Sequence, residues 1–113
     1  MDIAYKKTKM RKTFNSFDKL VRHYGLEMAK KIRMRQDFLR AATNLAQVPA
    51  SLPTRRHELK GRRKGQFAVD LTRNYRLIFE PNHNPLPVRD DGGLNLERIT
   101  AITIVSVEDY HND

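Results

Sequence analysis

Apolar residues in this sequence recur every three or four positions up to Pro49, and every second position after Pro53. The first spacing is that of an amphipathic helix, the second that of a half-buried strand. Proline lacks the amide hydrogen a helical ladder needs, so the two prolines close a helical half and open a strand half. A chain of 113 residues divided in this way fits one α+β domain spanning 1–113, with helices and strands in separate layers.

In the helical half, Phe14, Phe17, Val21 and Tyr24 are spaced +3, +4, +3. They predict a helix that ends at Gly25, with Asn15 and Asp18 as a weak capping pair. A longer helix is expected from Leu26 to Ala46, its apolar stripe running through Met28, Ile32, Leu39, Ala42 and Leu45 and widened by Phe38. Lys30, Lys31, Arg33, Arg35 and Arg40 occupy its other faces and predict a basic exterior. The pair reads as an αα-hairpin. Ahead of it, "DIAYK" is expected to form a short first strand, with Ile3 and Tyr5 on one face.

In the strand half, Phe67, Val69 and Leu71 point one way and Gln66, Ala68 and Asp70 the other. "TRN" predicts a turn into a second strand, where Tyr75, Leu77 and Phe79 alternate with Arg76, Ile78 and Glu80. Segment 81–98, with three prolines and two adjacent glycines, predicts a long loop that is mobile or functional. The last strand, "ITAITIVSVEDY", is apolar on both faces, with Ile102 and Ile104 on one and Val105 and Val107 on the other, as expected of a strand inside a sheet. The expected architecture has two layers, the N-terminal strand and helical hairpin packing on one face of an antiparallel sheet.

Charge is divided along the chain. Residues 1–79 hold 20 Lys and Arg against 6 Asp and Glu, whereas residues 80–113 hold 2 against 7. One strongly basic surface is expected, and the commonest polyanion of a cytoplasm is nucleic acid. With no cysteine, disulfides and thiolate metal sites are excluded. No apolar run reaches the ~18 residues of a membrane span, so no membrane partner is expected. The N-terminal cations precede no apolar stretch, so no secretory leader is expected either and the compartment is read as the cytoplasm.

Cutting RNA by attack of its own 2′-hydroxyl, without a metal, needs a base, an acid, and cations that stabilise the phosphorane. The sequence offers His57, His111, Glu108, Asp109 and Tyr110 for proton transfer, and Lys60, Arg62, Arg63, Arg73 and Arg76 for the phosphate. Each has a structural counterpart reading. His57 follows two arginines in a polar connection, Arg62–Lys64 reads equally as a charged turn, and Arg76 stands where it would pair with Asp70 across the hairpin. His23, His57, His83 and His111 show no metal-ligand spacing, so neither metal nor cofactor is expected.

The block "HELKGRRKGQFAVDLTRNYRLIFE" (57–80), followed by a variable loop and "ITIVSVEDYH" (102–111), resembles the RelE/ParE superfamily of toxins, and within it the HigB-type plasmid-maintenance killer branch. The resemblance rests on Leu59, Lys60, Gly61, Arg62, Gly65, Phe67, Asn74, Tyr75, Arg76, Asp109, Tyr110 and His111. It implies a RelE-like fold and a ribosome-dependent endoribonuclease that cuts messenger RNA and is silenced by a cognate antitoxin, expected to be a helix-turn-helix protein. By position it implies active-site roles for His57, Lys60, Arg76, Asp109, Tyr110 and His111. RNA contacts are expected from Arg62, Arg63, Lys64 and Arg73 at the site, and from Lys30, Lys31, Arg33, Arg35 and Arg40 on the long helix. Many relatives carry a catalytic arginine where this chain has Asp70, which removes one phosphate-stabilising cation unless Arg62, Arg63 or Arg73 replaces it. Two alternatives share the fold: a ParE-like inhibitor of a protein target such as gyrase, and a non-catalytic RNA- or antitoxin-binding relative.

Overall fold

The computed structural model describes residues 1–110; His111 lies outside the described residues. Five strands form one sheet in the order β1-β5-β4-β3-β2: β1 (Asp2–Tyr5), β2 (His57–Glu58), β3 (Phe67–Asp70), β4 (Tyr75–Pro81) and β5 (Ala101–Asp109). Three helices, α1 (Thr8–Phe14), α2 (Phe17–Tyr24) and α3 (Leu26–Ala41), supply the second layer. The two-layer α+β architecture is the expected one. The sheet is mostly rather than wholly antiparallel, because β1 enters parallel to β5.

The expected first helix is two helices. The chain breaks at Asn15 and Ser16, and the Ser16 hydroxyl, rather than Asn15, accepts the backbone N–H of Lys19 at 3.3 Å. A serine oxygen satisfying an otherwise orphaned helix N–H starts a new helix there. Gly25 ends α2 as expected, at φ +85, a conformation that side chains with a Cβ rarely adopt. The α3 helix stops at Ala41 rather than Ala46; Ala42 is extended and Leu45 sits in a 3₁₀ turn, still buried. Its buried stripe is Ala29, Ile32, Arg35, Gln36 and Leu39, while Phe38 is 41% exposed.

The core lies between α3 and the inward face of the sheet. Phe67, Val69 and Leu71 meet Leu77 and Phe79 and then Ile102 and Ile104, while Phe14 and Leu20 close the helical side. Strict alternation fails at one place. Ile78 pairs with Ser106 but Phe79 pairs with Ile104, which leaves Val105 as an extra residue in β5. This bulge reverses the parity of the residues beyond it. Val107 therefore joins Ile102 and Ile104 in the core instead of opposing them, and Val105 packs on the other face with Leu59, Ala68 and Ile78.

Segment 81–98 forms a folded excursion. It is held by a Val88–Leu94 bridge, a turn closed by Arg89 and Gly93, and a 3₁₀ turn at Leu96–Arg98, with Leu94 and Leu96 against the core. No helix among the described residues is long and apolar enough to cross a membrane.

Candidate active site on the open sheet face

Residues opposite one another in antiparallel strands share a face, so the register lays out rows across the uncovered side of the sheet. One row reads Asp70 on β3, Arg76 on β4 and Glu108 on β5. The next reads His57 on β2, then Ala68, Ile78 and Ser106. The Val105 bulge creates the first row. Without it Glu108 would share the parity of Ile102 and Ile104 and point into the core.

Arg76 is the buried centre, 3% exposed. Its guanidinium lies 3.9 Å from the Glu108 carboxylate and beneath the ring of Tyr110, 4.9 Å from the centroid. A second guanidinium, that of Arg55, sits 5.3 Å from the same ring. Arg55 donates from Nε and Nη2 to the two Asp70 carboxylate oxygens at 2.8 and 3.1 Å, and from Nη2 to the Tyr110 hydroxyl at 2.6 Å. The Tyr110 hydroxyl in turn donates to Asp70. At the other end Arg63 grips Glu108 with two bonds of 2.6 Å and donates from Nε to Gln66 at 3.1 Å. Ser106 adds a hydroxyl bond to the same carboxylate. Charge thus alternates along the line Arg55, Asp70, Arg76, Glu108, Arg63, with one cation in excess.

The local field fixes protonation. Burial alone would raise the Asp70 carboxyl, but hydrogen bonds from Arg55 and Tyr110 and the nearby charges of Arg55 and His57 overcome it and hold it below the ordinary range. Glu108 is held low by its bond to Arg63, against burial and with help from Ser106 and the charges of Arg63 and Arg76. Tyr110 moves the other way: burial, then its bond to Asp70 and the Asp70 charge, raise its phenol, so it keeps its proton. His57 Nδ1 lies 2.8 Å from the Arg55 carbonyl oxygen. A carbonyl oxygen only accepts, so this contact calls for a hydrogen on Nδ1 and leaves Nε2 outside it.

Arg55 reaches the row from the connection between the two halves of the chain. It is the only non-glycine residue at positive φ (+48) among the described residues, a costly conformation held by its surroundings. Its N–H bonds to Ser51 O at 2.8 Å, and Asp70 N bonds to Thr54 O at 2.8 Å. From beneath, Arg35 on α3 donates Nε to the backbone oxygen of Asp70 at 2.6 Å and Nη2 to that of Pro53 at 3.4 Å. Arg35 is therefore not part of a basic exterior. At 6% exposure it ties α3 to the end of β3, and the expectation that it contacts RNA is withdrawn.

The other expected residues divide by face. Arg76 and Tyr110 are brought together, and His57 sits one row away on the edge strand. Lys60 is exposed just before the Gly61–Arg63 3₁₀ turn, where Arg62 and Lys64 are also exposed. Arg73 is exposed in the β3–β4 turn. Asp109 pairs opposite Tyr75, and alternation turns it away from the face that carries Glu108. Lys30, Lys31, Arg33 and Arg40 are exposed on the helical layer, behind the sheet rather than on the row; Arg33 stacks on Phe17 and Arg40 meets Asp37 at 3.7 Å. Arg55 was missed by the sequence reading. Its signal was indirect: an aspartate on the open face of a strand needs a cation. Among the described residues no group of three or more His, Cys, Asp or Glu could hold a metal ion.

Two solved structures superpose on nearly the whole chain. A YoeB/ParE toxin from Agrobacterium tumefaciens matches with a TM-score of 0.54 at 10% identity, covering 97% of this chain and 99% of the other. The fold is that of the YoeB/ParE toxins. A YoeB-YefM complex from Staphylococcus aureus matches with a TM-score of 0.54 at 15% identity, covering 96% of this chain and 94% of the other. No protein-family model matches the sequence, and a comparison with curated proteins gives no significant match. At the strand position where the sequence resemblance led to the expectation of an arginine, Asp70 engages Arg55 from the preceding connection.

Proposed function

We propose that this chain is the toxin of a toxin–antitoxin pair, of the HigB-type branch, and that its open sheet face cleaves messenger RNA on the ribosome. The observation that carries the reading is the buried Arg76, roofed by Tyr110 and flanked by two more guanidiniums, with His57, its Nδ1 against the Arg55 carbonyl, one row away. In this mechanism His57 Nε2 takes the 2′-hydroxyl proton and the 2′-oxygen attacks the adjacent phosphorus. The bond to the 5′-oxygen breaks, and that oxygen leaves with the proton of Tyr110. The products are a 2′,3′-cyclic phosphate and a 5′-hydroxyl. An alkoxide is far more basic than a phenolate, so even a raised phenol remains a competent donor at the moment of cleavage.

The phosphorane is held by Arg76, Arg55 and Arg63, with Lys60 at the edge. A guanidinium has five N–H donors, and Asp70 and Tyr110 engage only Nε and Nη2 of Arg55, leaving Nη1 for a phosphate oxygen. Asp109 and His111 keep the roles the resemblance implies for them. The solved YoeB-YefM complex supports a dedicated protein partner, which we assign as a cognate antitoxin that silences the site.

Expression without the partner is expected to arrest growth and cut ribosome-bound messages. His57→Ala, Lys60→Ala and Arg55→Ala should each relieve the arrest in folded protein, with rates down on the order of 10²–10³. Arg76 is tested as Arg76→Lys, because truncating a buried cation confounds folding. Full toxicity in all four variants would end the ribonuclease reading. A second reading is favoured by one observation: Asp70 and Glu108 already engage Arg55 and Arg63. On that reading the protein binds RNA or a protein target without cutting, and growth arrest with intact messages would support it.

A further inference from the structure

Beside the Gly61–Gly65 turn lies an open groove of about 670 Å³, whose lining includes Arg62, Arg63, Lys64, Gln66, Glu80 and His83. It belongs to the same open face and adjoins the Arg76 row through Arg63, which lines the groove and also grips Glu108. Glu80 stands opposite Thr103 on β5, and Gln66 Nε2 approaches Glu80 Oε2 at 3.5 Å. From Asp70 to Gln66 is four residues of one extended chain, roughly 13 Å at the ~3.3 Å rise of a strand. That is several times the ~3.4 Å separation of stacked bases, so a base in the groove would belong to a neighbouring nucleotide, splayed out of the stack.

We infer that this groove is a base-reading pocket whose ligand is a guanine nucleotide adjacent to the cleaved bond. The inference rests on the ribonuclease reading for its place in the reaction, though not for binding itself. Glu80 is half-buried in the groove lining, and a carboxylate offers only acceptors. A carboxylate facing a base selects hydrogen-bond donors. Guanine alone presents two adjacent donors, N1–H and N2–H, matched to the two carboxylate oxygens. Adenine and cytosine present one amino group, and uracil presents one N–H between two repelling carbonyls.

The pocket is held in shape. Gln66 is fixed by the Arg63 Nε bond to its carbonyl oxygen, which turns its amide nitrogen toward Glu80. His83 is fixed because its Nε2 accepts the N–H groups of Thr100 and Ala101 at 3.0 and 3.3 Å. Pro81 and Leu86 give the base an apolar wall. Arg62 and Lys64 are exposed and make no salt bridge to a described residue, which leaves them for the phosphate of the same nucleotide. Cation, apolar wall and acceptor together are the parts that recognition of a single-stranded base requires.

The test separates binding from cleavage. Backbone amide shifts of the isolated protein are followed by NMR during titration with GMP, AMP, CMP and UMP, for wild type, Glu80→Gln and Arg62→Ala. GMP is expected to shift Gly65, Gln66 and Glu80 at concentrations on the order of tenfold below those needed for UMP. Glu80→Gln should abolish that preference, and Arg62→Ala should weaken all four nucleotides together. Equal responses to GMP and UMP, or a preference that survives Glu80→Gln, would overturn the pocket. Cleavage-site mapping on ribosome-bound messages gives the second arm. A wild type that cuts nothing refutes the ribonuclease reading and leaves the titration to judge the pocket. A wild type that cuts with the same base bias as Glu80→Gln refutes the pocket and leaves the ribonuclease reading standing.

Discussion

Replacing Tyr110 by phenylalanine removes one oxygen from the centre of the charge row and keeps the ring over Arg76 and Arg55. Two hydrogen bonds disappear, the 2.6 Å bond from Arg55 and the bond to Asp70, each involving a charged partner. Bonds of that kind contribute ~1.5–3 kcal/mol when dry. Here the Arg55 side chain is 44% exposed, water takes up part of what is lost, and Asp70 keeps both of its Arg55 contacts. The expected cost is about 1–2 kcal/mol, a fall of roughly 3–10 °C in melting temperature for a domain of this size. The chemical effect should be much larger. With no proton to give the leaving 5′-oxygen, single-turnover cleavage of ribosome-bound message should fall by about 10²–10⁴. Urea denaturation and single-turnover cleavage on the same preparations measure the two effects. A Tyr110→Phe protein that loses the stability but cuts at the wild-type rate would show that the hydroxyl only braces Asp70 and that the acid lies elsewhere.

Other perturbations separate groups that look alike in sequence. Arg35→Ala should destabilise by about 2–4 kcal/mol, since it orphans the carbonyls of Asp70 and Pro53, without changing the salt dependence of ribosome binding. Lys30→Ala with Lys31→Ala should leave the melting temperature nearly unchanged and flatten that salt slope by about one to two units, provided the helical layer touches ribosomal RNA. Asp70 and Glu108 both have carboxyls depressed in the fold, so their contribution to stability is present above their ordinary values of 3.8 and 4.5 and is lost as pH falls through the lower folded values. Acid unfolding followed by circular dichroism should therefore flatten below about pH 4.5 in a Glu108→Gln variant. Deleting Val105 should restore strict alternation in β5 and leave Ser106, Val107 and Glu108 on the faces they now occupy, so urea denaturation should still show a cooperative transition, lowered by the lost contacts of Val105 with Leu59, Ala68 and Ile78.

How far this molecule can be read from its sequence depends on whether a property is periodic. The period change at Pro49 and Pro53, the Phe67–Leu71 and Leu77–Phe79 faces, and the Gly25 stop are local patterns, and each recurs in the structure. Three things are not periodic, and each was misread. The Ser16 cap splits a helix whose apolar spacing runs on unbroken across it. Arg35 has the composition of an exposed basic face but the position of a buried stripe, at i+3 from Ile32. The bulge at Val105 leaves no mark in a run of β-branched residues, yet it decides which face of the sheet receives Glu108. The missing cation belongs with these. Asp70 looked like a loss because an arginine was expected on the strand itself. An aspartate aimed at an open face with an arginine arriving from the preceding connection brings a guanidinium to the same place by a route of non-local contacts, although the pair adds no net charge. Arg55 is held there by a positive φ, the Thr54–Asp70 backbone bond and the Arg35 tie beneath. The layout of guanidiniums on a surface is a property of the assembled fold, so one can reach a strand from a segment outside it. The requirement is only that the fold brings the two together, as the Asp70–Arg76–Glu108 row does here.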